Sequence, residues 1–313
     1  MSGLGDGTTF LSDFAGSTAS ELRAAIGEAS DASVSDGKTP LQDDLLREEW
    51  RVLARPGGIR TDHLETIVEP TPTRYGELID RVVLVPRLRE VAALIGFTRV
   101  EAPFDDELRA ARVNLTRTPP TWVPVSVVRG EGIFIQLRED VVSAWVTANQ
   151  ELDVSFRAAH RTWRAGRGKT DLDANYPGIR YVLLHSVAHS LMRQLALASG
   201  YSQAAIRERI YSSEPGMDTP AMAGLLLMTA APDSEGTLGG LVAQEARVTL
   251  DRHLNAAISD AELCSSDPFC AEHSREDDIL GIHGAACHAC LFAPETSCER
   301  GNCYSTAACL RSS

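Results

Sequence analysis

The sequence predicts an α/β fold, in which a mixed α+β N-terminal region precedes an α/β domain with a cysteine-rich C-terminal segment. Three observations indicate this class. Short β-branched and apolar runs are typical of strands, and longer stretches have apolar residues at helical spacing. All seven cysteines lie between Cys264 and Cys309. The length of 313 residues is enough for about two domains.

The charge and the apolar runs exclude several classes of protein. The chain carries 43 acidic and 30 basic side chains, a net charge of −13. An autonomous duplex-DNA binder usually has a basic surface, so any DNA contact should be shared with a partner. The longest apolar stretch, Met222 to Ala231, has ten residues, whereas a membrane-spanning helix needs roughly 20. We expect no membrane association and, without a secretory signal, a cytoplasmic location.

Residues 1–40 are expected to form a flexible leader and linker, because Gly, Ser, Thr, Ala and Asp dominate them. Thr18 and Glu21 have the spacing of a capping box for one short helix.

Residues 41–165 are expected to form the mixed α+β region. Pro40 suits the first turn of a helix, which would extend past Trp50. The further predicted elements are strands at 81–86 and 132–137, a helix over 140–163, and a basic, glycine-rich loop at 164–170. This loop and the helix end before it supply the best local basic stretch for shared DNA contact, namely Arg161, Arg164, Arg167 and Lys169. A solvated, exposed loop without a DNA role is the alternative interpretation.

Residues 175–313 are expected to form the α/β domain with the cysteine-rich segment. A helix over 179–199 should end at Gly200, because glycine favours the left-handed cap. Ser202 would begin a second helix through Arg209. An apolar run at 224–230 predicts a strand buried on both faces, and a helix should follow over 241–258.

The cysteine spacing predicts a structural zinc site. Cys264 and Cys270 are followed by the close pair Cys287 and Cys290, which a tight turn can direct at one ion. Four thiolates leave no open position, so such a zinc is structural rather than catalytic. Cys298 is an alternative to Cys264 as the fourth ligand. An iron–sulfur cluster or unligated thiols are the other interpretations of this spacing.

A second candidate site is a pocket that combines helix and loop residues. His185 and His189 are four residues apart on a predicted helix and share a face. A glycine-rich loop follows the buried strand, where ligands bind in open α/β sheets. The pocket residues are His185, His189, Asp233, Glu235, Gly239 and Gly240. Packing of the histidines and a simple turn in the loop are the alternatives without function.

Several motifs follow one another along the chain, namely Leu183-Leu-His-Ser-Val-Ala-His-Ser-Leu, Ala231-Pro-Asp-Ser-Glu-Gly-Thr-Leu-Gly-Gly-Leu, Cys264-Ser-Ser-Asp-Pro-Phe-Cys, Ala286-Cys-His-Ala-Cys and Pro294-Glu-Thr-Ser-Cys. In these motifs and their order, the chain resembles the DrmB family, a component of the DISARM anti-phage system, over about residues 44–310. The same C-terminal unit resembles the zinc-binding domain at the end of MrfA-type helicases.

The resemblance implies zinc at Cys264, Cys270, Cys287 and Cys290, a DrmA-like helicase as partner, and a complex that engages foreign DNA. The chain is shorter than a typical DrmB, which leaves open whether it is one part of a split protein. A non-catalytic subunit of that complex is the function we predict, because no ATPase, nuclease or protease signature is present. A metal-dependent hydrolase or nuclease in the second pocket, and an interaction module outside phage defence, are the competing hypotheses.

Overall fold

The described part of the chain contains the sheet, its helices and most of the C-terminal segment. The computed structural model describes residues 8–10, 40–94, 96–98, 113, 115–116, 122–216, 220–229, 242, 247–262, 264, 270, 282–284 and 286–310. The helix predicted near Thr18 lies outside these residues. None of the described helices has the length and apolar character needed to cross a membrane.

Seven strands and five α-helices make up the described fold. The strands are β1 (Thr8–Phe10), β2 (Ile59–Arg60), β3 (Leu64–Glu69), β4 (Ile79–Ala93), β5 (Val125–Leu137), β6 (Ile206–Ser213) and β7 (Met222–Thr229). The helices are α1 (Pro40–Leu53), α2 (Glu139–Ala148), α3 (Gln150–Gly166), α4 (Gly178–Ser199) and α5 (Arg247–Glu262). Short 3-10 helices lie at Gln203–Ala205 and Ala307–Leu310.

The strands form one antiparallel sheet in the order β2-β3-β4-β5-β7-β6, with β1 paired to β4. The mixed α/β class is therefore confirmed. Strands from both sides of the predicted boundary pair directly, since β5 lies beside β7. The division into 41–165 and 175–313 stays a prediction.

Alternation along the central strands separates two cores, one on each face of the sheet. Val83, Phe134 and Leu226 share one face, which Trp50 of α1 covers. Leu84 and Ile133 point to the other face, against the helices that follow β5. Because strand side chains alternate, both faces of this sheet can be apolar and buried.

Helix α4 is the central helix of the larger core. Most of its side chains are buried, so it is enclosed around most of its circumference rather than along one stripe. The predicted end at Gly200 is confirmed, because this residue is left-handed with φ of 75°. The position of α4 between the sheet and the C-terminal segment makes its polar residues part of the interior.

Two predicted elements differ from the structure. The helix expected from Ser202 to Arg209 is wrong, because this segment forms a 3-10 turn and then strand β6, paired along its length with β7. Sheet pairing outweighs local helix propensity here. The single helix over 140–163 is two helices, α2 and α3, separated at Asn149, whose φ of −112° and ψ of 33° are not helical.

The last predicted helix is present and ends later than expected. Its described part, helix α5, extends from Arg247 to Glu262, four residues beyond the predicted end at 258. It ends two residues before Cys264 and therefore delivers the first cysteine of the C-terminal segment.

Candidate metal centre

Four cysteine sulfurs converge at the C-terminal end of α5. The Sγ atoms of Cys264, Cys270, Cys287 and Cys290 all lie within 4.8 Å of one another. The Cys264–Cys287 and Cys287–Cys290 pairs are both 3.6 Å apart, and Cys270–Cys290 is 3.8 Å. The structure therefore brings together the four cysteines of the predicted zinc site.

A tight turn positions the second pair of cysteines. The backbone N–H groups of Leu291 and Phe292 both donate to the carbonyl of Cys287 at 3.0 Å. The N–H of Cys287 donates to Sγ of Cys290 at 3.2 Å. This turn holds both sulfurs on one side of the backbone, as the Cys-x-x-Cys spacing requires.

The sulfur positions fit a tetrahedral zinc ion. With Zn–S bonds of about 2.3 Å, tetrahedral geometry separates the sulfurs by roughly 3.8 Å, close to the observed spacing. Burial and the neighbouring Cys287 raise the pKa of Cys290 to about 11. A divalent cation offsets the cost of deprotonating these buried thiols, because thiolates that would repel one another become ligands of one positive ion.

Cys298 lies elsewhere, in a second buried cluster with His185, His189 and Glu208. Nε2 of His185 is 2.9 Å from Oε1 of Glu208 and 3.2 Å from Sγ of Cys298. Nε2 of His189 is 3.3 Å from the same carboxylate oxygen. Cys298 is thus adjacent to the histidine pair and not to the four-cysteine cluster.

Electrostatics in this cluster depend on the buried carboxylate. Burial disfavours the charged form of Glu208, but the nearby histidines outweigh that effect and hold its pKa well below the usual range. Burial raises the pKa of the Cys298 thiol well above its ordinary value.

Sequence reasoning missed Glu208, which it placed in a helix. The signal that could have found it is the period of two in Ile206, Glu208 and Ile210, which puts a carboxylate among inward-facing apolar positions of a strand. The histidines, by contrast, share the predicted helix face. The remaining pocket residues, Asp233, Glu235, Gly239 and Gly240, lie outside the described residues, so the pocket stays a prediction.

The basic stretch is only partly exposed. The prediction of Arg164 as a surface residue is wrong, because it is 1% exposed and its Nε donates to the carbonyl of Asp171 at 2.6 Å. Helix α3 extends through Gly166 and turns this side chain inward. Arg161 pairs with Asp173 at 3.3 Å, and Arg167 lies 4.0 Å from the ring centroid of Trp163.

Comparisons with known proteins place a zinc-binding unit over this region. Residues 187–291 match the MrfA Zn-binding domain. The chain is 36% identical over 275 residues to the DISARM protein DrmB of Bacillus paralicheniformis, across 86% of this chain and 47% of the relative. The resemblance to DrmB is therefore confirmed, and the chain spans about half the length of this relative.

A solved structure of the DUF1998 helicase MrfA bound to DNA is also similar. It aligns with 71% of this chain and 24% of its own, at 12% identity and a TM-score of 0.31. A score this low does not establish a common fold. The zinc-domain match and the four-cysteine geometry together are compatible with a structural zinc ion.

Proposed function

We propose that this chain is a non-catalytic, zinc-binding subunit of a helicase-containing anti-phage complex. The observation that carries the proposal is the similarity to DrmB over 86% of the chain. A DrmA-like helicase would be the partner and would supply ATP hydrolysis. The complex would act in the cytoplasm on foreign DNA, and the chain would bind DNA through the complex rather than alone.

The charge of the chain supports a shared DNA surface. A net charge of −13 opposes binding to a phosphate backbone by the isolated chain. A helicase partner can supply most of the basic surface, and this chain would add a small basic patch beside it. Association of the two proteins therefore comes before DNA binding in this proposal.

The four-cysteine cluster would have a structural role in this subunit. Cys264, Cys270, Cys287 and Cys290 would hold one zinc ion, and all four tetrahedral positions would be taken by protein sulfur. Such an ion stabilises a segment with little regular secondary structure. It offers no coordination site for a substrate or for water.

Affinity purification tests the proposal. The tagged chain is purified from its native host, and proteins that copurify are identified by mass spectrometry, with an untagged strain as control. We expect a stoichiometric helicase of superfamily 2. Isolation of the chain alone, at normal abundance and with zinc bound, would contradict the proposal.

DNA binding provides the second measurement. The purified complex, the helicase alone and the chain alone are compared on the same duplex and single-stranded probes across a salt series. We expect binding by the complex and none by the chain alone. Equal affinity of the helicase with and without this chain would show that the chain has no part in DNA engagement.

A further inference from the structure

A second set of metal-ligating atoms lies at the junction of helix α4, strand β6 and the turn at 295–301. One atom each from His185, His189, Glu208 and Cys298 lies within 4.8 Å of the other three. All four side chains are buried, with His185 at 0% exposure. The set is separate from the four cysteines and shares no residue with them.

The imidazole rings are oriented by their outer nitrogens. Nδ1 of His185 is 3.1 Å from the carbonyl oxygen of Tyr304, and Nδ1 of His189 is 2.9 Å from that of Leu291. A carbonyl only accepts, so each Nδ1 is the donor and carries hydrogen. In the neutral rings, each Nε2 then presents a lone pair. Donation of the outer nitrogen to a backbone carbonyl is typical of metal-bound histidine.

The lone pairs of both Nε2 atoms face a carboxylate. Both are within 3.3 Å of Oε1 of Glu208, which also has only lone pairs to offer. Either a proton on an imidazole or a bound cation must therefore separate these acceptor atoms. No hydrogen-bond partner among the described residues reaches the buried Oε2 of Glu208, so the carboxylate is incompletely satisfied.

Two backbone N–H groups are directed at the sulfur of Cys298. The N–H groups of Arg300 and Asn302 donate to Sγ at 3.4 and 3.1 Å. Asn302 has a φ of 65°, in the left-handed region that non-glycine residues rarely adopt. The side chain of Asn302 also exchanges two hydrogen bonds with the backbone of Ala293. Together these contacts fix the turn with its amide groups directed at the sulfur.

We propose that His185, His189, Glu208 and Cys298 form a second, buried zinc site. Two neutral imidazoles, one carboxylate and one thiolate make a four-ligand set that zinc accepts, and the two anions balance the charge of the ion. Tetrahedral zinc separates such atoms by roughly 3.3–3.6 Å, so the observed contacts of 2.9–3.3 Å need only a slight expansion.

The site is closed and therefore structural. All four positions are taken by protein atoms, and their burial leaves no approach for a substrate. The matched zinc-binding segment, residues 187–291, includes His189 and Glu208 but neither His185 nor Cys298. The second ion would tie α4 and β6 to the end of the C-terminal segment, whereas the four-cysteine ion ties the end of α5 to the 287–290 turn.

Metal analysis of the full chain tests this site independently of any partner. After dialysis against a weak chelator, we expect two zinc ions per chain by elemental analysis. Cys298→Ser should lose the second ion and retain the ion of the four cysteines. Cys287→Ser should lose the four-cysteine ion and retain the second one. Cys303→Ser, a cysteine outside both clusters, should retain two. One ion in the wild type, unchanged in Cys298→Ser, would overturn the proposal.

X-ray absorption on the unmodified chain keeps the test open if a variant fails to fold. Two sites together have five sulfur and three nitrogen or oxygen ligands, an average of 2.5 sulfur and 1.5 nitrogen or oxygen ligands per zinc, whereas the four-cysteine site alone has sulfur only. A zinc spectrum without nitrogen or oxygen ligands would overturn the second site. Histidine scattering that disappears in Glu208→Gln or His189→Gln would support it.

Discussion

At the scale of single residues, Arg209 connects three distant parts of the chain. Its guanidinium lies 2.9 and 3.1 Å from the two oxygens of Glu49 on α1 and 3.3 Å from Glu299 in the C-terminal segment. Tyr211 also donates to Glu49, at 3.0 Å. Burial and these two carboxylates act on Arg209 in opposite directions, and the carboxylates prevail, so its pKa is raised.

Replacement of Arg209 by methionine should destabilise the fold strongly. The variant leaves Glu49 buried without its cation, and an unpaired buried charge costs about 3–5 kcal/mol. Urea unfolding followed by circular dichroism measures the change. Arg51→Met is the matched control, because its side chain is 63% exposed and its ion pair is at the surface. Equal stability of the two variants would contradict this account.

Glu139 gives a prediction about pH. Burial opposes its charged form, but hydrogen bonds from Arg180 and Ser143 prevail and lower its pKa below the ordinary 4.5. Its stabilising contribution is therefore complete above that pH and is lost as the pH falls through the lowered pKa. Arg180 is 5% exposed and also donates to the carbonyl of Met222. Its buried charge therefore depends on Glu139 as the anionic partner.

We expect Glu139→Gln to lower the free energy of unfolding by about 1–2 kcal/mol at neutral pH. The difference from the wild type should shrink well below pH 4.5, where Glu139 is protonated in both states. Urea unfolding at neutral and acidic pH measures it, with the exposed Glu151→Gln as control. A difference that stays constant across this range would exclude the charged pair as its cause.

At the scale of elements, the sequence predicted the apolar central runs of β4, β5 and β7 and missed β2, β3 and the edge strand β6. The runs at 81–86, 132–137 and 224–230 are apolar enough that burial alone indicates a strand. Strand β6 carries Arg207, Glu208 and Arg209 in succession, which obscures its period. Each of these charged residues has a partner in another element. Arg207 pairs with Glu90, Glu208 contacts the histidines of α4, and Arg209 pairs with Glu49.

Gly130 is required where β5 crosses the end of β7. A Cβ atom there would lie 1.8 Å from the carbonyl oxygen of Thr229, whereas a Cβ on Gly166 would meet nothing within 4 Å. We expect Gly130→Ala to cost about 3 kcal/mol or more, because backbone atoms must move apart. Gly166→Ala should be neutral or slightly stabilising. Thermal unfolding of the pair distinguishes them, and equal melting temperatures would contradict the close approach.

At the scale of the whole molecule, the spacing of residues along the sequence indicated the four-cysteine site but not the proposed second site. The four cysteines form two local pairs, so their pattern is visible in the sequence. His185 and Cys298 are 113 positions apart, and only the packing of α4 against the C-terminal segment brings them together. A cluster assembled from a helix, a strand and an irregular turn has no recognisable residue spacing in the sequence. For the same reason the sequence could not decide where Cys298 lies.

The basic patch gives a prediction for the assembled complex. Arg167 and Lys169 follow the buried Arg164 at the end of α3, and Arg167 is exposed. In the purified helicase complex, Arg167→Glu with Lys169→Glu should weaken DNA binding and reduce its salt dependence. Arg51→Glu on α1 is the control. Unchanged affinity and salt slope would remove this patch from the proposed DNA surface.

The C-terminal segment should depend on the four-cysteine ion for its order. Its described residues include few in regular secondary structure, and hydrogen bonds such as Glu208 N–H to the carbonyl of Ser297 attach it to the sheet. A structural zinc contributes roughly 10–16 kcal/mol of apparent binding energy to small domains. Loss of that contribution exceeds what a few hydrogen bonds supply.

Cys287→Ser should therefore make the segment after Glu262 sensitive to protease while the sheet persists. Limited proteolysis with mass spectrometry locates the first cuts, and circular dichroism reports the retained sheet and helices. Cys303→Ser, outside both clusters, should behave like the wild type. If Cys287→Ser keeps both its protease resistance and its zinc content, the four-cysteine cluster is not what orders this segment. The hydrogen bonds to α4 and β6 would then be sufficient, and zinc would have to be bound elsewhere.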